Sequence, residues 1–135
     1  MFIDSQLEFS TKQALTATAV STNVIDLGSD RDVGPGAPLW LVISCDVALA
    51  GTAPTLDVAL QTDSVEAMSS SSVIVSGQQQ TAMAAGDKIV LAVPNANQQF
   101  LRVNYTLGGT SPTATVSAWL TDQEPTNWVA QADAI

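Results

Sequence analysis

Apolar and polar residues alternate along most of the chain, with the two-residue period of a β-strand whose two faces differ. The clearest run is residues 101–107, in which the odd positions are apolar and the even positions are polar. Residues 114–120 repeat this period after a break at residues 108–112 that contains two glycines and a proline. Two such runs around a glycine-rich break predict a β-hairpin with a longer loop.

About eight extended segments are separated by turn residues at the short spacing of an all-β sandwich or barrel. In the longest run, residues 39–47, the odd positions are predicted to face the core and the even positions to face outward. The odd positions are Leu39, Leu41, Ile43, Cys45 and Val47, and the even positions are Trp40, Val42, Ser44 and Asp46. The other candidate strands are residues 15–20, 23–27, 56–61, 73–76 and 88–93. Little helix is expected, because the one candidate, residues 78–85, lacks an apolar stripe.

The length of 135 residues suits one domain. Residues 1–12 are predicted to form an N-terminal arm or the first strand, residues 13–121 the sandwich, and residues 122–135 a C-terminal tail. The apolar residues Met1, Phe2 and Ile3 begin the chain, and Leu7 and Phe9 follow at a two-residue spacing. This spacing suits an extended arm that docks on a neighbouring subunit or a partner. The alternative is that the segment forms the first strand of its own sandwich.

Composition excludes several classes of function. The chain has no histidine, one cysteine and four basic residues, with a net charge of −9. Neither a Ser-His pair, a Cys-His pair nor a Cys/His zinc site can form. Four cations cannot neutralise a phosphate backbone, so nucleic-acid binding is not expected. There is no signal segment or membrane-spanning stretch, which predicts a protein made in the cytoplasm that does not enter a membrane. Cys45 is interpreted as a small core residue.

Acidic residues are the remaining candidates for chemistry. Asp26, Asp30 and Asp32 have a spacing that could hold calcium, but the terminal acid of an EF-hand loop is missing. The alternative is a solvated loop with Arg31 between two acids. Asp122 and Glu124 could be the paired acid and base of a glycosidase, but no sequence feature places them in a cleft. The sequence therefore predicts no catalytic residue, cofactor or metal, and a protein that is not an enzyme.

Surface contacts are better supported, because the mean hydropathy is +0.23 and only 13% of the residues are charged. Such a composition suggests that part of the outer surface is covered by an oligomer or a partner. The alternation places Trp40 and Trp119 on the outward face of the sheet. Three roles are possible there: packing under a loop, contact with a partner or another subunit, and stacking on a sugar. Arg102 is either a solvated strand cation or the partner of an acid across an interface. The candidate contact residues are Phe2, Leu7, Phe9, Trp40, Val42, Arg102 and Trp119.

A set of short sequence strings identifies a family. The chain resembles the tailed-phage capsid cement proteins of the Bordetella-phage type, over roughly residues 1–121. Each string is weak alone, and the set is specific. The strings are residues 13–19, 21–28, 31–34 before Pro38-Leu39, 60–63, 88–94 and 100–105.

The resemblance implies an all-β jelly-roll sandwich of about eight antiparallel strands. It also implies a non-enzymatic cement, or decoration, protein on the outer surface of the virion. Such a protein binds the major capsid protein and bridges neighbouring subunits. Self-association as a dimer or trimer is expected as well. The alternative function is a carbohydrate-binding module or tail adhesin on the same kind of sandwich, since fold alone does not separate these functions.

Overall fold

The structure is a computed structural model that describes residues 4–29, 39–93 and 98–122. A single 3₁₀ turn, Ser5–Leu7, precedes the first strand. The strands are β1 (Glu8–Leu15), β2 (Ala19–Val20), β3 (Ile25–Asp26), β4 (Trp40–Asp63), β5 (Ser72–Ser76), β6 (Lys88–Ala92) and β7 (Phe100–Thr121). All pairings are antiparallel and join the seven strands into one hydrogen-bonded sheet.

The two longest strands, β4 and β7, form the frame of the molecule. They pair along their full lengths, from Trp40 opposite Thr121 to Asp63 opposite Phe100. A straight strand of the length of β4 would span about 80 Å, far more than a domain with a radius of gyration of about 14 Å can hold. The register shifts of the pair all lie between Cys45 and Thr55 on β4. The paired strands therefore bend there, and each contributes to two layers.

The bend produces a two-layer sandwich. One layer contains β1, β6, residues 40–47 of β4 and residues 113–121 of β7. The other contains β2, β3, β5, residues 55–63 of β4 and residues 100–108 of β7. In each layer the two long strands lie in the centre, with the short strands outside them. This is the pairing of a jelly roll, and the predicted all-β sandwich is confirmed.

The core lies between the layers. Leu41, Ile43 and Val116 come from one layer, and Leu60 and Val103 from the other; all five are fully buried in one cluster. Alternation therefore predicted the inner face correctly for residues 41, 43 and 45, and Cys45 is a buried core residue. Burial also raises the pKa of its thiol, with a smaller contribution from the nearby Asp87 carboxylate.

The hairpin predicted for residues 101–107 and 114–120 is wrong. These runs are two halves of the single strand β7, and each pairs with β4 rather than with the other. The break between them turns the strand without reversing it. Gly109 and Ser111 have positive φ angles of +97° and +49° at this point. The break therefore forms the bend of the sandwich instead of a loop that closes a hairpin.

One other local prediction also fails. Val47 was expected in the core, yet 59% of it is exposed, because a bulge between Cys45 and Val47 places the next side chain on the other face. Residues 78–85 form no helix, in agreement with the expectation drawn from their lack of an apolar stripe. Their backbone contacts β4 just after its bend, where Gln80 exchanges two hydrogen bonds with Leu56.

Candidate functional site

The N-terminal segment belongs to the chain's own sandwich from Glu8 onward. β1 pairs with β7, and Phe9 is fully buried in the core cluster. Leu7 is half-buried and packs against the same cluster. The hypothesis of an arm that inserts Phe9 into a partner is therefore wrong, because Phe9 lies in the first strand of the chain's own sandwich. Phe2 lies outside the described residues.

The outward face of β4 and β7 is less exposed than the alternation implied. Val42 and Trp119 are direct cross-strand partners outside the core cluster, with 0% and 6% exposure. Trp40 is half-buried at the start of β4. Atoms of this chain therefore cover most of the apolar surface that the sequence assigned to a partner at this face.

Arg102 projects from β7 onto the outer face of its layer. Its Nε donates a hydrogen bond to Oε1 of Gln61, the residue directly opposite on β4, at 2.8 Å. One terminal nitrogen lies 3.4 Å from Oγ of Ser71. The residue as a whole is half-buried. Both contacts are neutral, and they hold the cation against its own sheet.

Asp26 is tied to its neighbours by hydrogen bonds. Its Oδ1 accepts from the backbone N–H of Gly28 at 2.7 Å and from Nε2 of Gln99 at 2.8 Å. The bond from Gln99, followed by that from Gly28, lowers the pKa of the carboxyl. The other two acids of the calcium hypothesis, Asp30 and Asp32, lie outside the described residues. Among described residues, no group of three or more Cys, Asp or Glu side chains is arranged to hold a metal.

A second ordered carboxylate escaped the sequence analysis. Asp63 ends β4 and accepts backbone hydrogen bonds from Ser64 at 2.6 Å, Val65 at 3.4 Å and Ser70 at 2.7 Å. The bond from Ser70 is the main reason why the pKa of Asp63 lies below its ordinary value. A strand that ends in Asp before a serine-rich stretch is the available signal for such a turn. The role of Asp63 is to fix the connection to β5.

Exposed valines were also missed. The exposed large apolar side chains among the described residues are Val20, Val47, Val65 and Val73, with exposures of 39%, 59%, 45% and 57%. They lie on different elements and do not form one stripe. Alternation could not identify Val47 because the bulge changes its face. Exposed apolar side chains of this size remain available for contact with another molecule.

A family model matches the chain across the sandwich. The described chain is a jelly-roll β-sandwich in which no helix is long and apolar enough to cross a membrane. The model of the Bbp16 family matches residues 9–120, which run from β1 almost to the end of β7. The chain therefore belongs to the Bbp16 family, which carries a Bordetella-phage name. No curated protein matches the sequence at a significant level.

Proposed function

We propose that this protein is a capsid cement protein that binds the outside of a phage head and bridges neighbouring major capsid subunits. The observation that carries the proposal is the match to a phage family across the whole jelly roll. Membership in a phage family points to the virion as its location. The proposal goes further in two respects: it places the protein on the outer surface of the head and names the major capsid protein as its partner.

Electrostatics supports a position outside the shell. The net charge is −9, and only four residues are basic. Contact with packaged DNA would place these acids against phosphates without enough cations to offset the repulsion. On the outside of a head, the same charge keeps the particle soluble. The proposal assigns the protein no catalytic activity.

The mechanism is multivalent clamping. Each copy adds a modest interface across a joint between capsid subunits, and the closed shell connects many such joints. A rigid sandwich suits this role because the layers share one core and neither can shift without disturbing it. The β4–β7 pair, which spans both layers, transmits load between them.

The test is co-sedimentation with expanded, DNA-free capsids of the phage that encodes the protein. The expected result is saturable pelleting with the capsids and a higher disruption temperature for decorated shells. Protein sedimented alone is the control and should stay in the supernatant. Absence of binding to expanded capsids, or retention on glycan columns instead, would contradict the cement function.

A further inference from the structure

Four chain segments meet at one end of the sandwich. They are the connection between β1 and β2 (residues 16–18), the bend of β4 (47–55), the first part of the β5–β6 connection (77–86) and the bend of β7 (108–113). We call this region the uncharged end. Cross-strand pairs join its two bends, with Ala50 opposite Thr113 and Thr52 opposite Thr110.

Hydrogen bonds attach the other two segments to the bends. Oγ1 of Thr18 accepts from the backbone N–H of Leu107 at 3.1 Å, next to the β7 bend. The N–H of Leu49 donates to the carbonyl of Met83 at 2.9 Å. These contacts make the four segments one continuous surface.

None of the four segments contains an acidic or basic residue, in a chain with 13 acids. Charged residues flank two of the segments in sequence, at Asp46, Asp57, Asp87 and Lys88. The three carboxylates accept hydrogen bonds from Ser117 Oγ, Gln79 Nε2 and the Ala84 N–H, respectively. Depletion of charged residues at the centre, with polar groups around it, is one compositional feature of protein–protein interfaces.

The opposite end of the sandwich has the reverse character. Asp26 and Asp63 both lie opposite Phe100 there, on the two strands that flank β7. Glu66 follows in the β4–β5 connection, and Asp122 follows the end of β7. The negative charge of the described chain is therefore distributed unequally along the sandwich.

The uncharged end is exposed and has a fixed shape. Val47 is 59% exposed, and residues 50–53 and 109–111 are exposed as well. Ala53 and Ser111 hold positive φ angles of +50° and +49°, which residues with a Cβ seldom adopt. A Cβ added at Gly109 would lie 2.5 Å from the Ala53 carbonyl oxygen, so the two bends pack closely. Strained, exposed backbone of this kind is retained where the surrounding structure fixes it, and it is common at binding sites.

We propose that the uncharged end is the surface by which this protein docks on the outer face of the capsid shell; this inference rests on the proposed cement function. The occupant is a neutral protein surface. A strongly basic or acidic partner would find no complementary charge in the four segments, whereas a neutral surface can cover them without dehydrating any ion. The acidic end then faces solvent.

The test places a carboxylate at each end of the molecule. Val47→Asp introduces a charge at the uncharged end, and Val65→Asp is the matched control, a valine with 45% exposure beside Asp63. Thr110→Glu is a second charge variant, at an exposed position of the β7 bend. Each variant is titrated against expanded capsids by co-sedimentation, after circular dichroism and thermal melting show that it is folded.

The proposal expects Val47→Asp and Thr110→Glu to weaken capsid binding by about tenfold or more, with Val65→Asp close to wild type. Thr110→Glu decides the result alone if Val47→Asp fails to fold. Normal binding by the uncharged-end variants, or an equal or greater loss in Val65→Asp, would overturn the docking surface while leaving the cement function intact. A change only in the mass of the free protein would assign this end to a second copy and also overturn it. Failure of the wild type to bind capsids would instead reject the proposed function.

Discussion

Single residues connect the two layers of the sandwich. Tyr105 is fully buried, and its hydroxyl lies 2.8 Å from Oγ of Ser10 in the opposite layer. The Ser10 hydroxyl donates to Oε1 of Gln13 at 2.7 Å, which leaves its oxygen free to accept from Tyr105. Among described residues, no buried side-chain nitrogen or oxygen lacks a hydrogen-bond partner. A satisfied polar chain across an apolar core fixes the relative position of the layers.

Tyr105 makes the free energy of unfolding depend on pH in the alkaline range. Burial raises its pKa from 10.0 to about 12, and the Ser10 hydrogen bond offsets part of this effect. The unfolded chain thus loses the phenol proton first, so the stabilisation is complete below about pH 10 and declines as the pH rises toward 12. The expected loss is about 2–3 kcal/mol in denaturant unfolding, relative to Tyr105→Phe.

Spectroscopy can check this directly, since Tyr105 is the only tyrosine. Tyrosinate absorbance should appear near pH 10 in the denatured protein and well above it in the folded protein. Coincident titrations would contradict the burial of this hydroxyl. Tyr105→Phe should cost about 1 kcal/mol at neutral pH, as for one hydrogen bond whose other partner keeps a second contact.

At the scale of elements, alternation identified strands and faces but missed how strands connect. Which of residues 41–45 and 101–107 face the core follows from one local property, because successive side chains of a strand point to opposite faces. The bend cannot be predicted in this way. The glycines and proline of residues 108–112 suit a reversal of the chain and a kinked continuous strand equally well. The pairing of β7 with β4 decides between them, and that contact joins residues about 40–80 positions apart. The position of Phe9 could not be predicted for the same reason, since only the pairing of β1 with β7 shows that β1 belongs to the core.

The register of β4 can be tested with adjacent residues. Ile43 is fully buried in the core, whereas Ser44 is half-buried on the opposite face. Ile43→Ala should reduce the free energy of unfolding by about 2–5 kcal/mol through lost burial and a residual cavity. Ser44→Ala should have a much smaller effect. Similar losses in denaturant melts would show that the strand faces are assigned incorrectly.

The bend can be tested with two glycines. Gly109 and Gly86 have positive φ angles of +97° and +95°, so alanine is strained at either site. Only at Gly109 would the added Cβ collide with backbone, because nothing lies within 4 Å of it at Gly86. Gly86→Ala should cost about 1–2 kcal/mol, and Gly109→Ala clearly more. Equal melting temperatures for the two variants would contradict the close packing of the bends.

At the scale of the molecule, charge is arranged by end and apolar residues by layer. The sequence contained the uncharged segments, but only the fold brings residues 16–18, 47–55, 77–86 and 108–113 together. The candidate contacts illustrate the limit of single-strand reasoning. The alternation of residues places Val42 and Trp119 on the outward face, yet only 0% and 6% of them are exposed. Val47 was assigned to the core and is exposed, because of one bulge.

Self-association is the prediction at this scale. The mean hydropathy of +0.23 and the low share of charged residues, 13%, indicate that a closed oligomer covers part of the surface. Val42 no longer supports this expectation, because it is buried within the chain. Multi-angle light scattering at micromolar protein should therefore give the mass of a dimer or trimer. Because each chain carries a net charge of −9, association should strengthen as added salt screens the repulsion between subunits. A monomer at every protein and salt concentration would contradict self-association.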